Sequence, residues 1–460
     1  EQGLHRAQIG AAVDQMRGER VAQHVRRHQR RIEPRLPRRG FQDLAYTPPR
    51  QLAVGGGGGG KQPARRPLMV AGPRVEIGER HGGERVFRVD VERARGHDVR
   101  LFASRAYADA GAEPAEYGCF GTATPLRAAL WCGNPSAFLG LRRALADFRP
   151  DVVHVRLFLS QLSPLILPLL REVPAVYHDG WYRTVCPIGS RVLPDGKGCH
   201  EPAGSVCYRS GCVPALAWPL LMTQLHLWRR WRDVFDVVVA NSRSVAEWLE
   251  VSGIARVEVI PNGIKAREPR PPLSGPPTIA FAGRLAYEKG VDTLLDAYKL
   301  VIEQRPDTQL LIAGEGPESA RLRKIAEQLG AKIEFLGHQP REIIERRFDA
   351  AWVQVVPSRG SEAFGNAAAE AMMRGTALVA SATGGFTEYV RHEETGLLVA
   401  PGDHAALGRL LLKVLGDREY AESLGLAGRR YALTAFDQGQ FLDRFIAIYE
   451  GLTKARSVSA

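Results

Sequence analysis

The chain has 460 residues, enough for two or three domains, and its 45% apolar content suffices to fill substantial cores. No apolar run approaches the roughly 18 residues of a membrane-spanning helix, and the first residues lack the charged, apolar and small succession of a secretory leader. The net charge of +12 is unevenly placed: residues 1–66 hold 14 Lys/Arg against 5 Asp/Glu, so the basic excess is mostly that of a tail.

That tail contains Arg26-Arg27-His28-Gln29-Arg30-Arg31, Pro48-Pro49 and six glycines at 55–60, with little periodicity, and is expected to be disordered. A polybasic arm suits nucleic acid or acidic lipid. Flanking sequence without function, as from an early or mistaken start, is the preferred account, and nucleic acid is not expected as a partner. Next, His81-Gly82-Gly83-Glu84 sets two glycines before a short helical pattern, by itself a turn as readily as a phosphate loop. A strand ahead of it, between residues 68 and 77, is hard to find.

The pattern sharpens at Pro150-Asp151-Val152-Val153-His154-Val155 and Pro174-Ala175-Val176-Tyr177-His178-Asp179, which read as buried parallel strands. His178 ends the second and is expected to face a ligand crevice, against the bland alternative of a histidine capping a strand. Cys186, Cys199, Cys207 and Cys212 then cluster within 27 residues. Four thiols are the donor set of a structural zinc, yet no Cys-x2-Cys pair occurs and a cytosolic setting disfavours disulfides. The readings left open, in order, are free thiols, zinc and disulfides. Residues 215–232 mix Trp218, Trp228 and Trp231 with Arg229, Arg230 and Arg232, which fits a helix packed on the first sheet or, alternatively, one resting on an anionic membrane surface.

Past a proline- and charge-rich linker at 263–277, four strand patterns each run into a small-residue loop. Residues 278–283 lead to Arg284 and Lys289 before a helical pattern at 291–301; residues 309–314 and 333–337 end in Gly314 and Gly337. Residues 351–358 lead to Ser361-Glu362-Ala363-Phe364-Gly365-Asn366-Ala367 and on to Glu370 in a helix that closes at Gly375. Strand, loop and helix start meeting at one place form an anion site, because unpaired N–H groups and the positive helix end face the crevice. With the helix starting near Gly365, Glu370 lies about 7 to 8 Å further along it than the loop that holds Glu362. Two carboxylates so spaced can hold hydroxyls on either side of a diphosphate, as in a nucleotide sugar. Arginine offers the diphosphate a bidentate fork and lysine a compact charge.

On these motifs, with Asn241-Ser242, Pro261-Asn262-Gly263, Phe281-Ala282-Gly283-Arg284 and the E-x7-E pair Glu362 and Glu370, residues 235–435 resemble the donor domain of the retaining GT-B glycosyltransferases of family 4. Residues 81–103 are similar, less regularly, to the glycine-rich loop, first helix and second strand of that family's acceptor domain. The resemblance implies an α/β fold of two Rossmann-like, doubly wound domains facing a central cleft: an acceptor domain at 67–262, a donor domain at 278–438, and a final helix in 439–460 crossing back. It implies that Arg284 and Lys289 bind the diphosphate, Glu362 the donor sugar and Glu370 the ribose, with the backbone of Phe364, Gly365, Asn366 and Ala367, and Gly337, Gly82 and Gly83, lining the substrates. Glu362, His178, Arg284 and Lys289 form the implied catalytic set.

The expected reaction is metal-independent sugar transfer from a nucleotide diphosphate sugar to a glycan or lipid-linked acceptor, in the cytoplasm or on the membrane's inner face, with no cofactor. No Asp-x-Asp metal motif is evident. A GT-B epimerase acting on a UDP-sugar and a degenerate nucleotide-sugar-binding protein are the alternatives.

Overall fold

The computed structural model describes residues 67–73, 96–107, 115–122, 124–330 and 332–459. The tail at 1–66, Gly82 and Gly83 lie outside them. Two parallel sheets organise the chain.

The first sheet contains β1 (Pro67–Pro73), β2 (Asp98–Ser104), β3 (Tyr117–Cys119), β4 (Val152–Arg156), β5 (Ala175–Asp179), β6 (Val237–Ala240) and β7 (Val257–Val259) in the order β3-β2-β1-β4-β5-β6-β7. β1, the strand that sequence patterning could not find, lies between β2 and β4, with Leu68 in register with both Val99 and Val152. It carries proline at both ends and a glycine inside, which masks its strand pattern; proline is tolerated there because it sits at the strand's limits. The connecting helices are α1 (Pro135–Phe148), α2 (Ser205–Arg209), α3 (Trp218–Trp231) and α4 (Arg243–Val251). Asn134 Oδ1 accepts from Ala137 N at 3.1 Å to start α1, with Pro135 at its first position, and Ser242 Oγ accepts from Val245 N at 3.2 Å to start α4. α3 turns Leu221, Gln224, Leu225 and Trp228 inward, so its aromatic residue at 228, 1% exposed, is a core residue.

The second sheet contains β8 (Thr278–Ala282), β9 (Gln309–Ala313), β10 (Ile333–Gly337), β11 (Val353–Val356), β12 (Ala377–Ser381) and β13 (Leu397–Val399) in the order β10-β9-β8-β11-β12-β13. Its helices are α5 (Val291–Gln304), α6 (Ser319–Leu329), α7 (Arg341–Arg347), α8 (Asn366–Arg374), α9 (Phe386–Tyr389), α10 (His404–Gly416) and α11 (Arg418–Ala435). Helices on both faces cover the central strands: every residue of β11 and β12 is buried, and both are mostly apolar rather than alternating. Strand order reverses where β8 meets β11, and such a reversal opens a crevice at the strands' C-terminal ends.

Residues 263–277 carry no helix or strand. The last helix, α12 (Gln438–Ser459), lies on the first sheet, where Phe445 and Tyr449 cluster with Val99, Val152, Val176, Val239 and Ile260. Tyr449 Oη is 2.6 Å from His154 Nδ1.

Candidate functional site

Both loops that flank the reversal point of the second sheet deliver charge to it. The loop after β8 carries Arg284 and Lys289, and the loop after β11 carries Glu362. Lys289 Nζ lies 2.7 Å from Glu362 Oε1, which also accepts from Ser358 Oγ at 2.6 Å. Burial pushes the Glu362 carboxyl upward, but the Lys289 ammonium and the Ser358 hydroxyl outweigh it and hold the group below the usual carboxylate range. Glu362 therefore stays ionised at neutral pH. Arg284, in the loop after β8, forms an ion pair with Glu288, four residues on.

α8 starts one residue later than the spacing suggested. Gly365 is its N-cap, left-handed at φ +85°, and a β-carbon there would meet Phe386 Cε1 at 2.1 Å, so both torsion and space demand glycine. No side chain caps this end, which leaves the first-turn N–H groups of Asn366 and Ala367 available at the crevice. Asn366 Oδ1 accepts from Asn262 Nδ2 at 2.9 Å, joining α8 to the end of the first half. Phe364 is buried against Tyr389 and Phe436. Glu370, further along α8, forms an ion pair with Arg341 at the start of α7. Gly337 sits on the same rim, where its carbonyl accepts from Gly314 N at 2.8 Å and joins the ends of β9 and β10. Arg284, Lys289, Gly337, Glu362, Phe364, Gly365, Asn366, Ala367 and Glu370 thus belong to one end of the second sheet.

His178 departs from expectation. Strand side chains alternate, and His178 shares its face of β5 with Val176, the face that α12 covers. Its ring is 0% exposed, 5.0 Å from that of Phe445 and 5.6 Å from that of His154, so it is enclosed rather than open to the crevice. Its neighbour Asp179 points the other way, accepting from Trp181 N at 3.2 Å and from the Thr184 hydroxyl, and burial pushes its carboxyl up to about 7 despite those donors.

Several participants were not singled out from sequence. Gly384, at φ +53°, lies so close to the Glu362 carbonyl that a β-carbon would be 2.1 Å from it, and Gly385 N donates to that carbonyl at 2.8 Å. Tyr182 Oη, from the first half, is 2.8 Å from both Ser244 Oγ and Ser361 Oγ, next to Glu362. Glu388 of α9 accepts from Arg243 N and Ser244 N at 2.8 Å each, placing a carboxylate from the second half on the positive end of α4. A Gly-Gly pair after β12 was the available signal for the first of these. The others pair residues 62 to 179 positions apart and carry no local signature.

The four clustered cysteines are unpaired thiols that line one small apolar cavity with Ile188 and Val206. Burial raises Cys207 and Cys212 above the usual thiol range. Among the described residues no group of three His, Cys, Asp or Glu side chains is arranged to hold a metal ion, and no helix is long and apolar enough to cross a membrane.

Comparison with known proteins matches both halves in order. The family described as Glycosyltransferase Family 4 matches residues 93–268, and that described as Glycosyl transferases group 1 matches residues 262–431. A glycogen synthase of Mycobacterium tuberculosis is 31% identical over 301 residues, 63% of this chain and 66% of its own length. A phosphatidyl-myo-inositol mannosyltransferase of Mycobacterium leprae is 34% identical over 237 residues, 50% of this chain and 63% of its own length. The chain thus spans 66% or less of the length of these relatives. Among solved structures, the sucrose-phosphate synthase of Thermosynechococcus elongatus superposes with a TM-score of 0.66 at 25% identity, covering 85% of this chain and 100% of that one. HepE of Anabaena, in complex with UDP and glucose, shares the fold with a TM-score of 0.61 at 17% identity, covering 84% and 100%. With two reversal-point sheets in series and each half matched by its own family description, the chain belongs to the GT-B glycosyltransferases of family 4.

Proposed function

We propose that this chain is a retaining glycosyltransferase that moves a sugar from a nucleotide diphosphate sugar to an acceptor hydroxyl. The observation that carries the reading is the Lys289–Glu362 pair at the reversal point of the second sheet, beside an uncapped helix start and with Arg284 on the same rim. In this reading Arg284, Lys289 and the Asn366 and Ala367 N–H groups hold the diphosphate and stabilise the charge that grows on it as the glycosidic bond breaks. The departing phosphate takes the acceptor's proton from the same face, so configuration is retained. Glu362 orients the donor sugar through its hydroxyls, and Glu370 the ribose. His178, enclosed under α12, is not among the reacting groups. Fixed cationic side chains and a helix terminus supply the charge stabilisation that a divalent ion supplies elsewhere, which favours metal-independent transfer.

Among relatives and fold neighbours, one is named for glycogen synthesis, one for mannosyl transfer to phosphatidyl-myo-inositol, and one was solved with UDP and glucose. These support a nucleotide sugar as donor and a glycan or lipid-linked acceptor. The corresponding setting is the cytoplasm, with peripheral contact at the inner face of a membrane where the acceptor is a lipid.

The test is nucleotide release and product analysis across UDP-, GDP- and ADP-sugars with candidate acceptors. Lys289→Ala and Arg284→Ala are each expected to lower kcat/KM by about 10² to 10³, the cost of removing one group that stabilises developing charge. Unchanged turnover in both variants would overturn the mechanism. Donor binding without transfer to any acceptor would identify a non-catalytic nucleotide-sugar binder, and donor isomerisation without acceptor an epimerase.

A further inference from the structure

At the opposite end of the first sheet from the crevice, where β5, β6 and β7 begin, the last turns of α12 border an open pocket of about 510 Å³. Four arginines surround it: Arg171 ahead of β5, Arg230 near the end of α3, Arg256 ahead of β7 and Arg456 in α12. Trp231, Val234 and Leu452 form an apolar wall. The volume falls in the range of small-molecule sites.

The charges are unbalanced. None of the four guanidinium groups has an ion pair or side-chain hydrogen bond among the described residues, although many other arginines of the chain do. Asp233 and Asp236 also line the cavity, yet neither lies within ion-pair distance of these arginines, and Asp236 Oδ2 is engaged by Ala175 N at 2.8 Å. Arg230 and Arg456 lie near helix C-termini, where the negative dipole end accounts for a cation. Arg256, entering a strand, has no such account, and neither does the convergence of all four on one hollow. Four exposed arginines against two aspartates leave the hollow with a surplus of positive charge, which a bound anion would offset. A planar guanidinium is built for the paired oxygens of phosphate, and a wall with an indole suits an apolar or aromatic portion beside it.

We propose that this cavity is a second binding site, separate from the donor crevice, for a phosphate-bearing ligand whose apolar part rests on Trp231. The chemistry is common to a soluble organic phosphate and to an anionic phospholipid headgroup. β5 separates the two sites by its five residues, about 16 Å of strand, so a ligand here does not reach the Lys289–Glu362 pair.

The experiment uses the full chain, inorganic pyrophosphate in calorimetric titration and sedimentation with vesicles of phosphatidylglycerol or of phosphatidylcholine. The wild type is expected to show two pyrophosphate sites; Lys289→Ala weakens one, and Arg171→Ala/Arg256→Ala weakens the other by about tenfold or more, as expected for two lost charge-assisted contacts. The double substitution changes two exposed side chains, and unchanged circular dichroism and melting temperature check its fold. If the double variant also abolishes sedimentation with phosphatidylglycerol vesicles, the ligand is a lipid headgroup; if it weakens pyrophosphate alone, the ligand is soluble. A single pyrophosphate site lost in Lys289→Ala, with no vesicle binding sensitive to the arginines, overturns the proposal while leaving the donor site intact. Failure of the Lys289→Ala variant to weaken either site would instead count against the donor-site reading.

Discussion

At Glu362 and Asp179, two buried carboxyls are driven in opposite directions by their neighbours. Glu362 has an ammonium and a hydroxyl on one oxygen and stays ionised; Asp179 has only neutral donors, and burial wins. The consequences for stability have opposite signs. Asp179, raised to about 7 from an unfolded value near 3.9, binds its proton more tightly in the folded chain, so its contribution is fully present below about pH 4 and is lost as pH rises through 7. Glu362, whose folded value is depressed, contributes above the unfolded carboxyl range and loses that contribution as pH falls. Asp179→Asn is expected to flatten the decline in stability between pH 4 and 7, as read by urea unfolding across that range; an unchanged profile would show that Asp179 titrates normally. At this scale the sequence was informative where a residue follows a strand within a short loop, as Arg284, Lys289 and Glu362 do. It misled at His178, because strand position alone does not say which face a distant helix will cover. It was silent on Tyr182 and Glu388, whose partners are far away along the chain, and on Arg341, which pairs with Glu370 from another helix.

Among the elements, α8 bears a tight local constraint at its start. A methyl group at position 365 meets the Phe386 ring and forces a left-handed torsion on a residue that resists it. Gly365→Ala is expected to destabilise the second half by about 1 to 3 kcal/mol. It should also weaken donor binding by shifting the Asn366 and Ala367 N–H groups. A melting curve with and without nucleotide tests both, and a variant that melts and binds like the wild type would refute the constraint. β8, β9 and β10 were legible because apolar runs and terminal glycines coincide, and β11 from its apolar run, whereas β12 and β13 were not singled out. β1 was not: its prolines and glycine resemble loop composition, and only its pairing on both sides with β2 and β4 identifies it as a strand. For α3 the two readings differed in which neighbour receives its aromatic face, and packing against the first sheet fits the burial of Trp228.

For the molecule as a whole, the two sheets, whose first six strands follow the same order, are held across the crevice by few polar contacts among the described residues. These are Tyr182 with Ser361, Glu388 with the start of α4, and Asn262 with Asn366. The α12 helix adds a larger tie, since Phe445 is fully buried among residues of the first sheet. Phe445→Ala is expected to cost about 3 to 5 kcal/mol, the usual range for a buried aromatic truncated to alanine. Chemical unfolding should show the loss in a transition of the first half, with the second half little changed. A loss confined to the second half would contradict this packing.

The same helix imposes an order on synthesis. Val99, Val152, Val176 and Val239 emerge from the ribosome long before Phe445, their cover. At about 5 to 20 residues per second, the interval from Ile260 to Phe445 is roughly 10 to 40 s. During that time one face of the nascent sheet is exposed and open to chaperones, and the first half completes its interior only after the second has been translated.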